Sequence, residues 1–162
     1  MSLMRLFRFC HFKFRAFFYG GWAEYGIFIS HSWDYDPDYF LLMDILHSAR
    51  SLRWRNCSVP RLERYREGVS GLYGRLVSQI SSSDCVIVIS DMYERNSFWI
   101  SKELDIARRL GKPVIALRSR WLMGLPGKIM SSSSAVAGWD PEDLAVSVRR
   151  LCFMNLSPWS RI

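Results

Sequence analysis

The chain has 162 residues, of which 49% are apolar, 23% charged and 15% aromatic, and its net charge is +7. That length suits about one domain, and the balance of apolar and charged residues excludes intrinsic disorder, collagen-like repeats and a disulfide-stapled miniature. The positive excess raises nucleic acid or an anionic membrane as partners, so its distribution matters more than its total.

The excess is split into blocks. Residues 1–24 carry +3, 25–49 carry −4, 50–66 carry +5, 67–91 carry −2, 92–130 carry +5, and 131–162 are neutral. No continuous basic stripe runs along the chain, which argues against nucleic acid. Cys10, Cys57, Cys85 and Cys152 are far apart, with no CxxC pair and no His at metal-ligand spacing. They read as reduced thiols of a cytoplasmic protein, with no metal site.

Residues 1–24 form a basic aromatic extension in which Arg5, Arg8, Lys13 and Arg15 break every apolar run. The runs fall short of the ~20 residues of a membrane span and of a signal-peptide core. Two readings stay open for the extension: a surface arm for a membrane or partner, or an added element packed on the domain. The domain proper is expected over 25–153, with a tail at 154–162.

From Tyr25 strands and helices alternate. Gly26 to Ile29 is a short apolar run ending in the polar cluster Ser30-His31-Ser32-Trp33-Asp34, as a buried parallel strand does at the carboxyl edge of a sheet. Asp36-Pro37 opens a helix over 37–49, with Tyr39, Leu42, Met43 and Leu46 at helical spacing. Trp54 to Val59 stops at Pro60 and reads as an edge strand. A polar loop over 61–70 then precedes a helix over 71–81. Asp84 to Ser90 has the β-branched run of a central strand. A helix over 97–110 carries the stripe Ile100, Leu104, Ala107 and Leu110, and Gly111 terminates it. Strands at 113–117 and 135–138 follow, and a last helix from Pro141 to about Cys152 has Asp140 as its N-cap.

Alternating β and α units predict the α/β class: a flavodoxin-like three-layer α/β/α fold with a five-stranded parallel sheet. Ligands in such folds sit beyond the carboxyl ends of the strands. The chain has no Walker A loop, no G-x-G-x-x-G and no G-x-S-x-G. Asp34, Asp36 and Asp38 resemble an acidic metal pocket, but two of them fall where carboxylates cap a helix. His31 between Ser30 and Ser32 suggests a nucleophile and base, yet neighbours on an extended chain point apart, so a polar rim fits better. Glu103 falls four residues after Trp99 on the helix that follows the central strand. On spacing alone it reads as a solvated helix carboxylate paired with Lys102 or an Arg.

Five landmarks carry a family resemblance. Ile27 to Asp34, Trp54-Arg55-Asn56, Ser90 to Tyr93, Ser97 to Leu104 and Gly111 to Ile115 closely resemble the TIR-like domains of bacteria and archaea, above all those of the Thoeris antiphage defence system. The resemblance covers roughly 25–152. It implies an enzyme that consumes NAD, with Glu103 of the W-x-x-x-E-L segment as the catalytic residue, no cofactor and no metal. Such enzymes cleave the bond between nicotinamide and ribose and form ADP-ribose or a cyclic isomer, a signal for a separate effector. A carboxylate suits that chemistry because a cationic ribose develops as nicotinamide leaves.

Substrate-binding residues are expected at Ser30, His31, Ser32 and Trp33 after the first strand, at Trp54, Arg55 and Asn56 in the second, and at Trp99. Trp33, Tyr35, Trp54 and Trp99 are candidates for aromatic walls, and Arg55, Arg61, Arg64 and Arg66 for a pyrophosphate clamp. TIR-like domains also imply homo-oligomers through contacts between copies. Two other readings remain: a non-catalytic module that only self-associates and recruits, and a nucleoside deoxyribosyltransferase-like enzyme.

Overall fold

The computed structural model describes residues 23–31, 36–58, 68–121 and 123–156. Five parallel strands form one sheet: β1 (Glu24–Ser30), β2 (Arg53–Asn56), β3 (Cys85–Ile89), β4 (Val114–Leu117) and β5 (Ala135–Ala137), in the order β2-β1-β3-β4-β5. The helices are α1 (Pro37–Ser48), α2 (Gly68–Ser82), α3 (Tyr93–Arg109), α4 (Gly127–Ser132) and α5 (Pro141–Leu156). The connection after β1 moves one way along the sheet and the connection after β3 moves the other. α1 packs with α5 on one face, while α2, α3 and α4 line the other. This is the three-layer α/β/α arrangement predicted from the alternation of patterns.

β3 lies at the centre because all five of its residues are apolar and buried, which only a strand covered on both faces tolerates. β2 is the opposite case. Its Arg53 and Arg55 are exposed, and charged side chains protect an edge strand from pairing with another chain. β2 spans Arg53–Asn56 rather than the expected Trp54–Val59. Beyond Asn56 the pairing continues through a side chain, with Ser58 Oγ accepting from Ile29 N at 2.7 Å and donating to Ile29 O at 3.2 Å.

α1 begins as the sequence requires: Asp36 is its N-cap, accepting from Asp38 N at 2.9 Å, and Pro37 fills the first turn. Leu42 and Leu46 bury its inner face. α2 starts at Gly68, three residues before the predicted position, and buries Leu72, Leu76 and Ile80. α3 bends at Asn96 (φ −142°, ψ 36°), and the part after the bend is the helix predicted over 97–110. Its end is a Schellman motif. Gly111 adopts φ +63°, its N–H donates to Arg108 O at 3.1 Å, and Lys112 N donates to Ala107 O at 2.8 Å.

α4 has no counterpart in the sequence pattern. It is six residues long and buries only Ile129, too little to show a helical period. Lys128 fastens it to α3 through Asp105 at 2.7 Å, and this hydrogen bond holds the Asp105 carboxyl below its ordinary value. α5 is capped by Asp140, whose Oδ1 accepts from Glu142 N and Asp143 N. Cys57, Cys85 and Cys152 are free buried thiols. The hydrogen bond between the Cys85 and Cys152 side chains, followed by burial, pushes the Cys85 thiol well up, and burial raises Cys57 despite the adjacent Arg55. Among the described residues no helix is long and apolar enough to cross a membrane.

Candidate functional site

The point where connections diverge lies between β1 and β3, and a crevice at their carboxyl ends is where folds of this class take ligands. β1 delivers Ser30 and His31 there. Ser30 pairs in register with Val88, one residue before the end of β3. α3 delivers Glu103 from the helix layer beneath the crevice.

Glu103 is fully buried, 0% exposed, and so is Ser30. The Ser30 hydroxyl donates to Glu103 Oε2 at 2.5 Å across 73 residues of sequence, and Oε1 is buried as well. The solvated helix carboxylate expected on spacing alone is therefore overturned. Glu103 occupies the position in the inward stripe of α3 between Ile100 and Leu104, both buried. An apolar side chain there would be more favourable by several kcal/mol than an ionised one, since a charge taken out of water is costly. A buried carboxylate held by a hydroxyl donor at the switch point of the sheet makes Glu103 the candidate functional group.

His31 is held on the α1 side of the crevice. Its Nδ1–H donates to Ile29 O at 2.9 Å, which fixes the orientation of the ring. The ring stacks on Tyr39 with centroids 4.3 Å apart. Asn56 Nδ2 in turn donates to Tyr39 Oη at 2.9 Å, and its Oδ1 accepts from Ser58 N at 2.8 Å. Asn56, Tyr39 and His31 thus form one ordered chain of contacts from β2 to the mouth of the crevice. Trp99 lies one turn before Glu103, half-buried against the core, with Phe98 edge-on at 5.3 Å.

Trp54 and Arg55 do not join this group. Trp54 pairs in register with Tyr25, near the amino end of β1, about 16 Å of strand from Ser30. Its indole N–H donates to Leu46 O at 3.1 Å, so it packs β2 against α1. The Arg55 side chain crosses β1 at Gly26, where a Cβ would meet its Nη2 at 3.0 Å, and donates to Ser82 O at 3.2 Å. Parallel pairing in this register, with β2 only four residues long, places both at the wrong end of the sheet. Ser32, Trp33, Asp34, Tyr35, Arg61, Arg64 and Arg66 lie outside the described residues, as do residues 1–22 of the extension and 157–162 of the tail.

The structure brings further residues to this edge that were not expected in the site, among them Asp36 and Asp38, read from the sequence as a helix cap. Asp36 and Asp38 are both buried at the start of α1. Arg95 Nη2 donates to Asp36 Oδ2 at 2.7 Å, and Arg120 donates to Asp38. Asp91, just past β3, accepts from the Ser119 hydroxyl and from Arg120 N. Trp139, after β5, donates its indole N–H to Arg118 O at 2.8 Å. The available signal was positional: each of these residues lies at or just past the carboxyl end of a predicted strand, at a helix start, or, for Arg95, just before a predicted helix. Among the described residues no three His, Cys, Asp or Glu side chains are grouped to hold a metal ion.

A doubly wound five-stranded parallel sheet with a buried carboxylate at its switch point defines the class: a flavodoxin-like α/β domain. The family model of the Thoeris protein ThsB, TIR-like domain, matches residues 28–121, more than half the chain, and the chain belongs to that family. The matched segment contains Ser30, His31, Asn56, Trp99 and Glu103. Among solved structures, the chain is similar to a conserved protein from Enterococcus faecalis V583 in its crystal structure, with 12% identity and a TM-score of 0.55 over 79% of this chain and 99% of that one. At that identity the likeness concerns the fold. No curated protein matches the chain in sequence.

Proposed function

We propose that the chain is an enzyme that takes NAD as its substrate and breaks the bond between nicotinamide and ribose, supplying ADP-ribose or a cyclic isomer as a signal to a separate effector in antiphage defence. The observation that carries this reading is the buried Glu103 carboxylate at the switch point, held by the Ser30 hydroxyl at 2.5 Å. Membership of a Thoeris TIR-like family supports it. So does the chemistry, because nicotinamide leaves with the electron pair of the C–N bond and the ribose carbon becomes an oxocarbenium-like cation.

A carboxylate aimed at that carbon from a site shielded from water stabilises the cation far more than it would in bulk solvent. Ser30, fixed by strand pairing, sets the direction of the carboxylate so that little reorganisation accompanies the reaction. Water attacking the ribose carbon gives ADP-ribose. Attack by a group of the same dinucleotide gives a cyclic product and releases the same proton. Trp99 and the His31–Tyr39 stack are the aromatic surfaces placed to flank the bound rings. The reaction needs no cofactor. A cytoplasmic setting and assembly of copies through TIR–TIR contacts belong to the same proposal.

The test is incubation of the purified full-length protein with NAD and mass spectrometry of the products, alongside Glu103→Gln. Nicotinamide release by the wild type and its loss in the variant support the reading. Base exchange on deoxynucleosides would instead indicate a transferase. Equal nicotinamide release by both proteins would overturn the role of Glu103.

A further inference from the structure

The two sides of the crevice are joined by charged pairs of unusual asymmetry. Asp36 and Asp38 belong to α1, which follows β1. Their partners come from across the switch point, Arg95 from the first turn of α3 and Arg120 from the segment after β4. In both pairs the carboxylate is the buried member: the Asp36 side chain is 5% exposed and that of Arg95 65%. Surface pairs normally leave both partners solvated, so burial of the acids holds the cations in place at the mouth. Arg120 is fixed further by its backbone N–H to Asp91 Oδ2 at 3.0 Å, and its guanidinium lies over the Trp139 ring at 5.0 Å and the Trp121 ring at 5.4 Å.

A guanidinium carries five N–H donors in a rigid planar fork. Among the described residues only Nη2 of Arg95, and likewise only Nη2 of Arg120, makes a side-chain hydrogen bond. The remaining edge of each fork is directed by its carboxylate and suits bidentate contact with phosphoryl oxygens. The anchoring aspartates are two residues apart, with Cα atoms at most about 7 Å from each other, so both forks are held at the start of α1. Neighbouring forks of this kind match two linked phosphoryl groups.

We infer that Arg95 and Arg120 form the diphosphate subsite of the crevice, each held in its productive orientation by a buried aspartate. The inference rests on the NAD reading and deepens it, moving the pyrophosphate contact from Arg55, which lies at the amino edge of the sheet, to the carboxyl edge where Glu103 is. It also gives a purpose to part of the +5 block over 92–130.

The test is calorimetric titration of the full chain with ADP-ribose, with inorganic pyrophosphate, and with nicotinamide riboside, which lacks phosphate. The variants are two double substitutions, Asp36→Asn with Arg95→Gln, and Asp38→Asn with Arg120→Gln. Each removes one charge of either sign, so net charge is unchanged and no buried carboxylate is stranded, and Asn at position 36 still caps α1. Both doubles are expected to weaken ADP-ribose and pyrophosphate about tenfold or more, the worth of a charge-assisted hydrogen bond, while nicotinamide riboside binds as before. Unchanged ADP-ribose affinity in both doubles overturns the subsite, as does a wild type that binds neither ADP-ribose nor pyrophosphate. If the arginines bind both ligands while the wild type releases no nicotinamide from NAD, the subsite stands and the NAD-cleaving reading falls. If the wild type cleaves NAD and both doubles keep its KM, the subsite falls alone.

Discussion

Replacing Glu103 by Gln separates a functional carboxylate from a structural one, because the two roles predict different changes in stability. The side chain is 0% exposed and its Oε2 accepts a 2.5 Å hydrogen bond from Ser30. Gln has nearly the same shape and its amide oxygen still accepts from Ser30, while the cost of keeping an ionised group out of water disappears. Losing the buried charge favours the variant while the amide N–H donors brought to the buried Oε1 position oppose it, so the net change stays within about 1 kcal/mol and Tm moves by no more than about 4 °C in a domain of this size. A group kept for catalysis should therefore give a variant of near wild-type stability and much lower activity. Removing one preorganised electrostatic contact typically lowers kcat by about 10²–10³-fold. The assays are thermal unfolding followed by circular dichroism and quantified nicotinamide release from NAD. A variant that loses more than about 1 kcal/mol of stability, or keeps wild-type kcat, would refute the reasoning, since Glu103 would then be a structural acceptor for β1.

Three further outcomes are expected. Ser30→Ala should fold normally and lower kcat about tenfold, because the hydroxyl orients the carboxylate; unchanged kcat in steady-state assays would remove Ser30 from the mechanism. Asp105→Asn should cost about 0.5 kcal/mol near neutral pH through its half-exposed contact with Lys128. The folded-state value of Asp105 lies below the ordinary 3.8, so its contribution is present above that pH and is lost as pH falls through the lowered value. Denaturant titrations of both proteins should therefore converge in acid, and a gap that persists there would contradict the pairing. Finally, Cys57, Cys85 and Cys152 are buried and Cys57 and Cys85 have raised thiols, so N-ethylmaleimide at neutral pH should leave all three unmodified until denaturant is added, as read by peptide mass spectrometry. Rapid labelling of the native protein would show that the packing around them opens.

Much of the architecture was legible in local patterns. The apolar run of β3, the stripe on α3 and the caps at Asp36, Asp140 and Gly111 are all properties of neighbouring residues, and short-range sterics and hydrogen bonding decide them. α4 escaped because one buried residue in six makes no period. The loop expected over 61–70 includes Gly68, a poor helix former, yet Gly68 opens α2, where the packing of Leu72, Leu76 and Ile80 outweighs its propensity.

The site divides in the same way. The resemblance alone pointed to Glu103, and the sequence also held a physical signal for it: a carboxylate in the inward stripe between Ile100 and Leu104, where burial is expected and an acid is not. Its spacing from Trp99 suggested a solvated face, because a stripe is read from apolar residues and an acid within it is counted as lying outside.

What the sequence by itself determined was the class of fold and the order of its elements, since these depend on periodicity and on residue type, while the candidate carboxylate came from the family resemblance its motifs carry. Only the tertiary structure decided that Ser30 meets Glu103 across 73 residues, that Arg95 and Arg120 stand on Asp36 and Asp38, and that Trp54 and Arg55 lie at the far end of the sheet. Those outcomes depend on strand order and register, which set which segments become neighbours. A hydropathy pattern is the same whichever neighbour a strand takes, so it carries no record of that choice.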